Sequence, residues 1–420
     1  YVLLLISLFG YAGRVGGQES VTITQCYEWA RANYPQIHQM GLIDQTERYS
    51  LSNVGKAWLP QLSVSGKASY QSDVTKLPFD GDKISSLLPG FEIPSLSKDQ
   101  YQVVAQVDQT IWDGGSARSA RALTRAEATA NREQLESELY ALNDRVNQLY
   151  FGCLLQDELI RQNALLQKEL QVNIERIEAM MENGVANQSD LESMEVELLN
   201  ARQNEIELKA SRTVYRQMLA TFINKPLTDQ VVLKTPESPE RSLSTQINRP
   251  ELRALDAKSE WIETQNKQVT AGLMPRIGAF VQGGYGRPGL NMLEDSFEPY
   301  YVAGVRLSWN LGKLYTLKND RRKIEVSRRQ IDVQRETFLF NTRLQLLQQN
   351  TEIKKMTDLM RADDDIIRLR TSIKQAAEVK LENGVISVTD LIREINAEDM
   401  ARQTAAAHRV QRLMTIYNYM

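Results

Sequence analysis

The 420-residue chain balances 50 Lys and Arg against 53 Asp and Glu, a formal net charge of −3, and 42% of its residues are apolar. It offers no basic surface for nucleic acid or acidic lipid, and its length and apolar content suit two or three domains with filled cores. His38 and His408 stand near opposite ends with no motif around either, and no nucleophile elbow, P-loop or metal-ligand spacing is present, so neither an enzyme nor a cofactor site is expected.

Residues 1–19 begin YVLLLISLFGYAG, an apolar run that passes through small residues into the polar RVGGQES. It reads as the apolar part of a secretory signal without its charged n-region, and it is too short for a spanning helix. Export is expected. Cys26 and Cys153 fall in expected helices and read as buried free thiols. The TITQ before Cys26 lacks the small apolar residues that lipid attachment needs.

Thr22 to Ala57 reads as a helical tract. WLP (Trp58 to Pro60) then leads into a strand at about 61–71, where Leu62, Val64, Gly66, Ala68 and Tyr70 alternate with Ser63, Ser65, Lys67 and Ser69. The polar segment Gln71 to Gln100 separates it from a second alternating run at about 101–112, which puts Tyr101, Val103, Ala105, Val107 and Ile111 on one face and runs into IWDGG (Ile111 to Gly115). From Ser116 to Met181 there is no Pro and one Gly. Apolar residues return at Leu135, Leu139, Leu142, Val146, Leu149 and Cys153, then at Leu170, Ile174, Ile177 and Met181. Alternating steps of four and three are the coiled-coil spacing, so the tract is expected to form one helix of about 100 Å at 1.5 Å per residue.

Residues 182–191 read ENGVANQSDL. Gly184 stands where a helix-ending glycine would, and Ser189 with Asp190 can cap a returning helix from Asp190 to Ile223. The decapeptide is therefore expected to be the tip of an antiparallel helical hairpin. Segment 225–247, rich in Pro, Ser and charge, reads as a connector.

The second half writes the same order again. A helical tract from Arg249 to Ala271 leads through LMPRIGAFVQGGY (Leu273 to Tyr285) to a strand at about 275–286. Another strand at about 300–310 runs into SWNLG (Ser308 to Gly312). Lys313 to Leu381 contains neither Pro nor Gly, and ENGVISVTDL fills residues 382–391, with Gly384 and the Thr389–Asp390 pair in the roles of Gly184 and Ser189–Asp190. The expected organisation is a leader at 1–19, a first repeat at 20–224, a connector at 225–247 and a second repeat at 248–420.

Each strand has the length of a tilted strand crossing a bilayer. Trp58, Trp112 and Trp309 stand at the helix-side ends, and Tyr70, Tyr101, Tyr285, Tyr300 and Tyr301 at the loop-side ends, the placement of two aromatic girdles in outer-membrane lipid. Phe280 is an exception to the alternation. Four strands cannot close a barrel, and an open edge in lipid strands backbone N–H and C=O groups, so several copies are expected to share one barrel.

These features resemble the TolC-like outer-membrane efflux proteins over nearly all of Val21 to Met420. The resemblance rests on the duplicated order, the WLP and IWDGG strand boundaries and the G-V-x-x-x-(S/T)-D-L tips. It implies an α+β membrane protein that assembles as a homotrimer, with a shared twelve-stranded outer-membrane β-barrel continued in the periplasm by an α-barrel of long antiparallel coiled-coil helices. It further implies a passive exit duct of a tripartite efflux or type I secretion system, recruited by a periplasmic adaptor and an inner-membrane transporter. The adaptor-contact tips would then include Gly184, Val185, Ser189, Gly384, Val385 and Thr389. Family gates use acidic residues just after the second tip: Asp390 matches the first of them, Asp190 is its counterpart in the first repeat, and Arg393 stands where the second acid is expected. Leu381 and Ile386 replace the Tyr and Arg that latch some members. The alternative is a periplasmic adaptor, which carries one hairpin among small β-domains, whereas this chain has two hairpins and duplicated transmembrane-type strands.

Overall fold

A computed structural model describes residues 20–75, 97–238 and 247–419. The leader expected at 1–19, most of the segment from Gln71 to Gln100 and the middle of the connector lie outside the described residues. The chain forms two compact units, and both repeats contribute to each. One comprises the described residues of Tyr1–Gln39, Leu135–Pro250 and Glu336–Met420, the other those of Met40–Gln134 and Glu251–Arg335.

In the first unit, β1 (Ser20–Val21) pairs in parallel with β4 (Val232–Leu233). Helix α1 (Ile23–Asn33) begins at a capping box in which the Thr22 hydroxyl accepts from the Gln25 amide at 3.3 Å and the Gln25 side chain accepts from the Thr22 amide at 2.9 Å. The helical tract expected from Thr22 to Ala57 is broken at Pro35. Tyr34, the residue before the proline, is extended (φ −65°, ψ 127°), and a 3₁₀ turn, Pro35–Ile37, leads into α2 (His38–Lys56). The long helix expected from Ser116 to Met181 is likewise two, α3 (Ser116–Tyr140) and α4 (Leu142–Glu182). Between them Ala141 (φ −62°, ψ −14°) keeps a right-handed backbone, but its ψ departs from the α value and interrupts the hydrogen-bond ladder. The returning helix is α5 (Gln188–Ile223).

Cys26 and Ala30 of α1 pack against Val146, Tyr150, Phe151, Cys153 and Leu154 of α4 and Leu219 and Ile223 of α5. Helix α1 thus fills the place where α5 ends, with the Tyr34 and Phe222 rings 5.9 Å apart at the junction. The Tyr150 hydroxyl lies 2.8 Å from the Val21 carbonyl and 2.7 Å from that of Lys234, fixing the β1–β4 pair to α4. Both cysteines are free and fully buried. Burial pushes each thiol up to about 12, so neither is a ready nucleophile.

Helices α7 (Lys313–Glu382), an unbroken 70 residues, and α8 (Val388–Tyr419) form the second hairpin. The first unit holds the tip ends of both hairpins, where Leu170, Ile174, Ile177, Met194 and Leu198 share one core with Ala377, Leu381, Leu391, Ile392 and Ile395.

In the second unit, β2 (Gln61–Tyr70), β3 (Asp99–Trp112), β5 (Arg276–Arg287) and β6 (Glu298–Ser308) form an antiparallel sheet in the order β2-β3-β5-β6. Its helices include α6 (Pro250–Ala271), whose Ile262 packs with Ile324 and Ile331 of α7.

Gly384 has φ +67°, where a Cβ is strained, while Gly41 lies inside α2 with nothing within 4 Å of an added Cβ. Thermal melts should therefore rank Gly41→Ala above the parent by up to about 1 kcal/mol and Gly384→Ala below it by about 1 kcal/mol.

Candidate functional site: an apolar sheet face and two hairpin tips

Strand register, more than any single residue, builds the first part of the site. Leu62, Val64 and Ala68 stand opposite Val107, Ala105 and Tyr101; Val107 and Val103 stand opposite Val281 and Tyr285; and Ile277, Ala279 and Val281 stand opposite Leu307, Val305 and Ala303. Opposite residues in a ladder share a face, so four alternating sequences merge into one apolar surface. It is exposed in the single chain: Leu62 is 71%, Val305 70% and Leu307 67% accessible. The reverse face carries Ser63, Ser65, Lys67, Gln102, Gln106, Asp108, Gln282 and Arg306. Neither β2 nor β6 has a second partner strand among the described residues.

Register also re-aims Trp112. Alternation alone would put it with Thr110 on the polar face, but an extra residue in β3 shifts the pairing from Thr110–Gly278 to Trp112–Ile277. This bulge turns Trp112 to the apolar side beside Ile111. At the loop-side ends, Tyr70, Tyr101, Tyr285 and Tyr301 are exposed. Phe297, which the sequence reading missed because it lies just outside a strand, stacks at 6.4 Å from Tyr101 and 5.7 Å from Tyr285. Tyr300 does not join them. It lies on the polar face bonded to Gln102, over Gly284, where a Cβ would sit 2.3 Å from the ring. Trp309 is exposed one residue beyond β6, and its indole donates to the Leu273 carbonyl at 2.9 Å. Trp58 is half-buried and lines a cavity of about 430 Å³ with Asp108, Phe280 and Arg306. Phe280 sits on the polar face above Gly304, with the Arg306 guanidinium 4.8 Å from its ring centroid.

The two tips are built alike. The Gly184 and Val185 amides donate to the carbonyls of Met181 and Met180, each at 2.9 Å, and those of Gly384 and Val385 donate to Leu381 and Lys380 at 2.9 and 2.8 Å. Both glycines have positive φ, +68° and +67°, which completes the helix-ending motif of crossed hydrogen bonds. The returning helices start two residues earlier than the sequence suggested. Asn187 and Ser387 are the caps, Ser189 and Thr389 lie inside the first turn, and Asp190 and Asp390 are the reciprocal partners three residues on. The Asp190 carboxylate accepts from the Asn187 amide at 3.1 Å, and that of Asp390 accepts from the Ser387 amide at 3.2 Å and hydroxyl at 2.7 Å. Hydrogen bonds from the Ser387 hydroxyl and then its amide, with a smaller pull from Arg393, hold the Asp390 carboxyl below the usual range. Arg393 lies 3.5 Å from Asp390 and 3.4 Å from Glu394. Val185 and Val385 are exposed at the apices, while Leu381 is buried in the hairpin core with Ile386 packed on it.

Residues 26–225 match the family model described as outer membrane efflux protein. The match falls on the first repeat. No curated protein sequence matches it. Among solved structures, the fold is similar to that of CusC, described in terms of conformational changes accompanying folding and transmembrane channel formation. That likeness has a TM-score of 0.68 at 15% identity, covering 94% of this chain and 91% of CusC. VceC of Vibrio cholerae, an outer membrane protein, gives 0.63 at 12% identity over 94% and 95% of the two chains. The CmeC outer membrane channel of Campylobacter jejuni gives 0.64 at 11% over 94% and 84%. At these identities the likeness is one of fold. Among the described residues, no helix is long and apolar enough to span a bilayer.

The efflux-family reading drew attention to the tips and missed a charged cluster behind them. Glu398 is 3% exposed, and its carboxylate accepts from Lys374 at 2.6 Å, Arg402 at 2.5 Å and the Thr371 hydroxyl at 2.6 Å; Lys374 also pairs with Glu169. A signal was present: Leu391, Ile395, Glu398, Arg402 and Ala405 follow steps of four and three, so Glu398 falls on the core stripe. Nearby, the Asp-rich run at 363–365 is divided: Asp363 is buried and 2.7 Å from the His408 ring, while Asp364 and Asp365 are exposed. Among the described residues, no group of His, Cys, Asp and Glu is placed to hold a metal ion.

Burial raises the Asp399 carboxyl to about 6, against a hydrogen bond from Gln403. A carboxyl raised on folding leaves stability intact below its unfolded value of about 4 and costs stability as pH rises through its folded value. Asp399→Asn should raise the melting temperature above pH 7, and that advantage should vanish below about pH 4.

Proposed function

We propose that three copies of this chain form a passive exit duct in the outer membrane. Their four-stranded sheets complete a twelve-stranded barrel with the apolar faces in lipid and the polar faces around the lumen. The observation that carries this reading is the sheet: an exposed face that is apolar except for Gln109 beside Ala279 and for Asp99 and Arg287 at the loop-side end, on strands whose two outer edges have no partner among the described residues, has no stable place in water or lipid until further strands close it. Tyr70, Tyr101, Tyr285, Tyr301 and Phe297 form the girdle at the extracellular rim, and Trp112 and Trp309 the one at the periplasmic rim. Helix α7 supports assembly as well, because Val326, Val333, Phe340 and Leu347 leave an exposed apolar row at seven-residue steps, suited to a helix of another copy.

The helical hairpins extend into the periplasm, where a periplasmic adaptor engages the tips through Gly184, Val185, Ser189, Gly384, Val385 and Thr389 and joins the duct to an inner-membrane transporter. The rigid double-capped turn gives such an adaptor a fixed shape to read. Asp390 completes the capping box of α8 and also places three carboxylates around the periplasmic entrance, each moderated by its own Arg393; Asp190 holds the same box position in the first hairpin, where Ser193 stands in place of the arginine.

Planar-bilayer recording tests both levels. Purified protein should insert and conduct with a preference for cations, since carboxylates in a narrow entrance act on passing ions. Asp390→Asn, which keeps an acceptor for the Ser387 bonds but removes the charge, should weaken that preference. Absence of conductance would refute the duct; unchanged selectivity in both Asp390→Asn and Asp390→Ala would leave Asp390 as a cap alone.

A further inference from the structure

The duplication supplies an internal comparison for the charged cluster. With the two ENG motifs at Glu182 and Glu382 superposed, Lys374 corresponds to Ile174, Glu398 to Leu198 and Glu169 to Leu369. Ile174 and Leu198 are buried and apolar, at 5% and 6% exposure, so a hairpin of this geometry accepts aliphatic side chains at those positions. The second hairpin instead buries a lysine side chain at 12% and a glutamate side chain at 3% exposure. A buried ion pair gives little or no net stability over an apolar pair of similar volume, whereas removing one partner is strongly unfavourable. Stability therefore does not account for the charges in the second hairpin.

The connections indicate what does. Lys374 lies on α7 and Glu398 on α8, which are the two arms of the second hairpin, and Lys374 also reaches Glu169 on α4, an arm of the first. Burial alone would raise the Glu398 carboxyl, yet hydrogen bonds from Lys374, Thr371 and Arg402 draw it down to about 2, so the cluster remains charged. We propose that Glu169, Lys374 and Glu398 form a pairing code that makes a first hairpin pack against a second hairpin and reject another first hairpin.

The code works through its mismatches. Two first hairpins packed in this way would set Glu169 against Ile174 and Leu198, a partly buried carboxylate with no cation. Two second hairpins would set Lys374 against Leu369, leaving the first hairpin's carboxylate out of reach. Only the mixed pair completes the lysine. A duplicated chain has a use for such a device, because its two hairpins share tip sequence and cap geometry. Polar groups at single core positions set partner choice in coiled coils by the same penalty.

The test uses the full-length protein and, for its second part, rests on the reading that copies assemble side by side. Lys374→Ile alone should lower the melting temperature, because it leaves Glu169 without its cation and buried Glu398 with only Arg402 and Thr371. The triple variant Glu169→Leu, Lys374→Ile, Glu398→Leu should recover it by copying the residues of the opposite repeat. Fidelity is read separately with a reporter cysteine, Glu195→Cys, on the exposed side of the first hairpin; Cys26 and Cys153 are buried and do not compete. With the charges intact, oxidation should leave single chains on a denaturing gel. In the triple variant it should give two-chain species from first hairpins meeting each other. Equal stability of Lys374→Ile and the triple variant, or a triple variant that cross-links no more than the parent, would overturn the pairing code. A parent protein with no oligomer at all would instead refute the duct, and the stability comparison would still decide the code within one chain.

Discussion

A β-sheet edge carries a row of backbone N–H and C=O groups that must be paired, and no lipid or apolar side chain can pair them. In this protein the constraint is sharpened because the sheet also exposes a largely apolar face on Leu62, Val64, Val103, Val305 and Leu307. Lipid satisfies the face but not the edges; water satisfies the edges but not the face. Closure by other copies satisfies both. In the proposed duct the assembly follows from that solution, since closing the sheet sets the number of chains.

The hairpins meet a different requirement with the same economy. Each turn from one long helix to the next takes only a few residues, because the crossed amide bonds of Gly184 and Gly384 satisfy the final carbonyls and the Asn187–Asp190 and Ser387–Asp390 boxes satisfy the first amides. The helix-ending carbonyls and the cap amides are thereby occupied, and Val185 and Val385 are left exposed. The Asp390 charge serves this local geometry whatever else it does at an entrance.

Sequence periodicity made the fold legible where one rule operated at a time. The helical stripe from Leu135 to Met181 and the alternation in β2 and β6 each reported a single packing face. It was less informative where two rules competed. Pro35 outweighed helix propensity and divided the first tract, and a single inserted residue in β3 reversed Trp112 without altering composition. The capping boxes were displaced by two positions because Asp is acceptable both as a cap and as the residue three places after it, and only the observed amide bonds separate the two roles. Glu398 was hidden for another reason: a carboxylate on a core stripe looks like an error in the pattern until its partners on α7 and α8 are known.

The central claim is that β2 of one copy runs beside β6 of the next. Disulfide mapping in vesicles tests it directly, with one cysteine at Ser65 on β2 and a second at Val302, Gly304 or Arg306 on β6, all on the polar face. The account predicts that at least one pairing links chains into two- and three-chain species on oxidation, with the three-chain species as the upper limit. If no pairing links chains while each cysteine reacts freely with a water-soluble thiol reagent, the edges are open to solvent and the shared barrel is wrong.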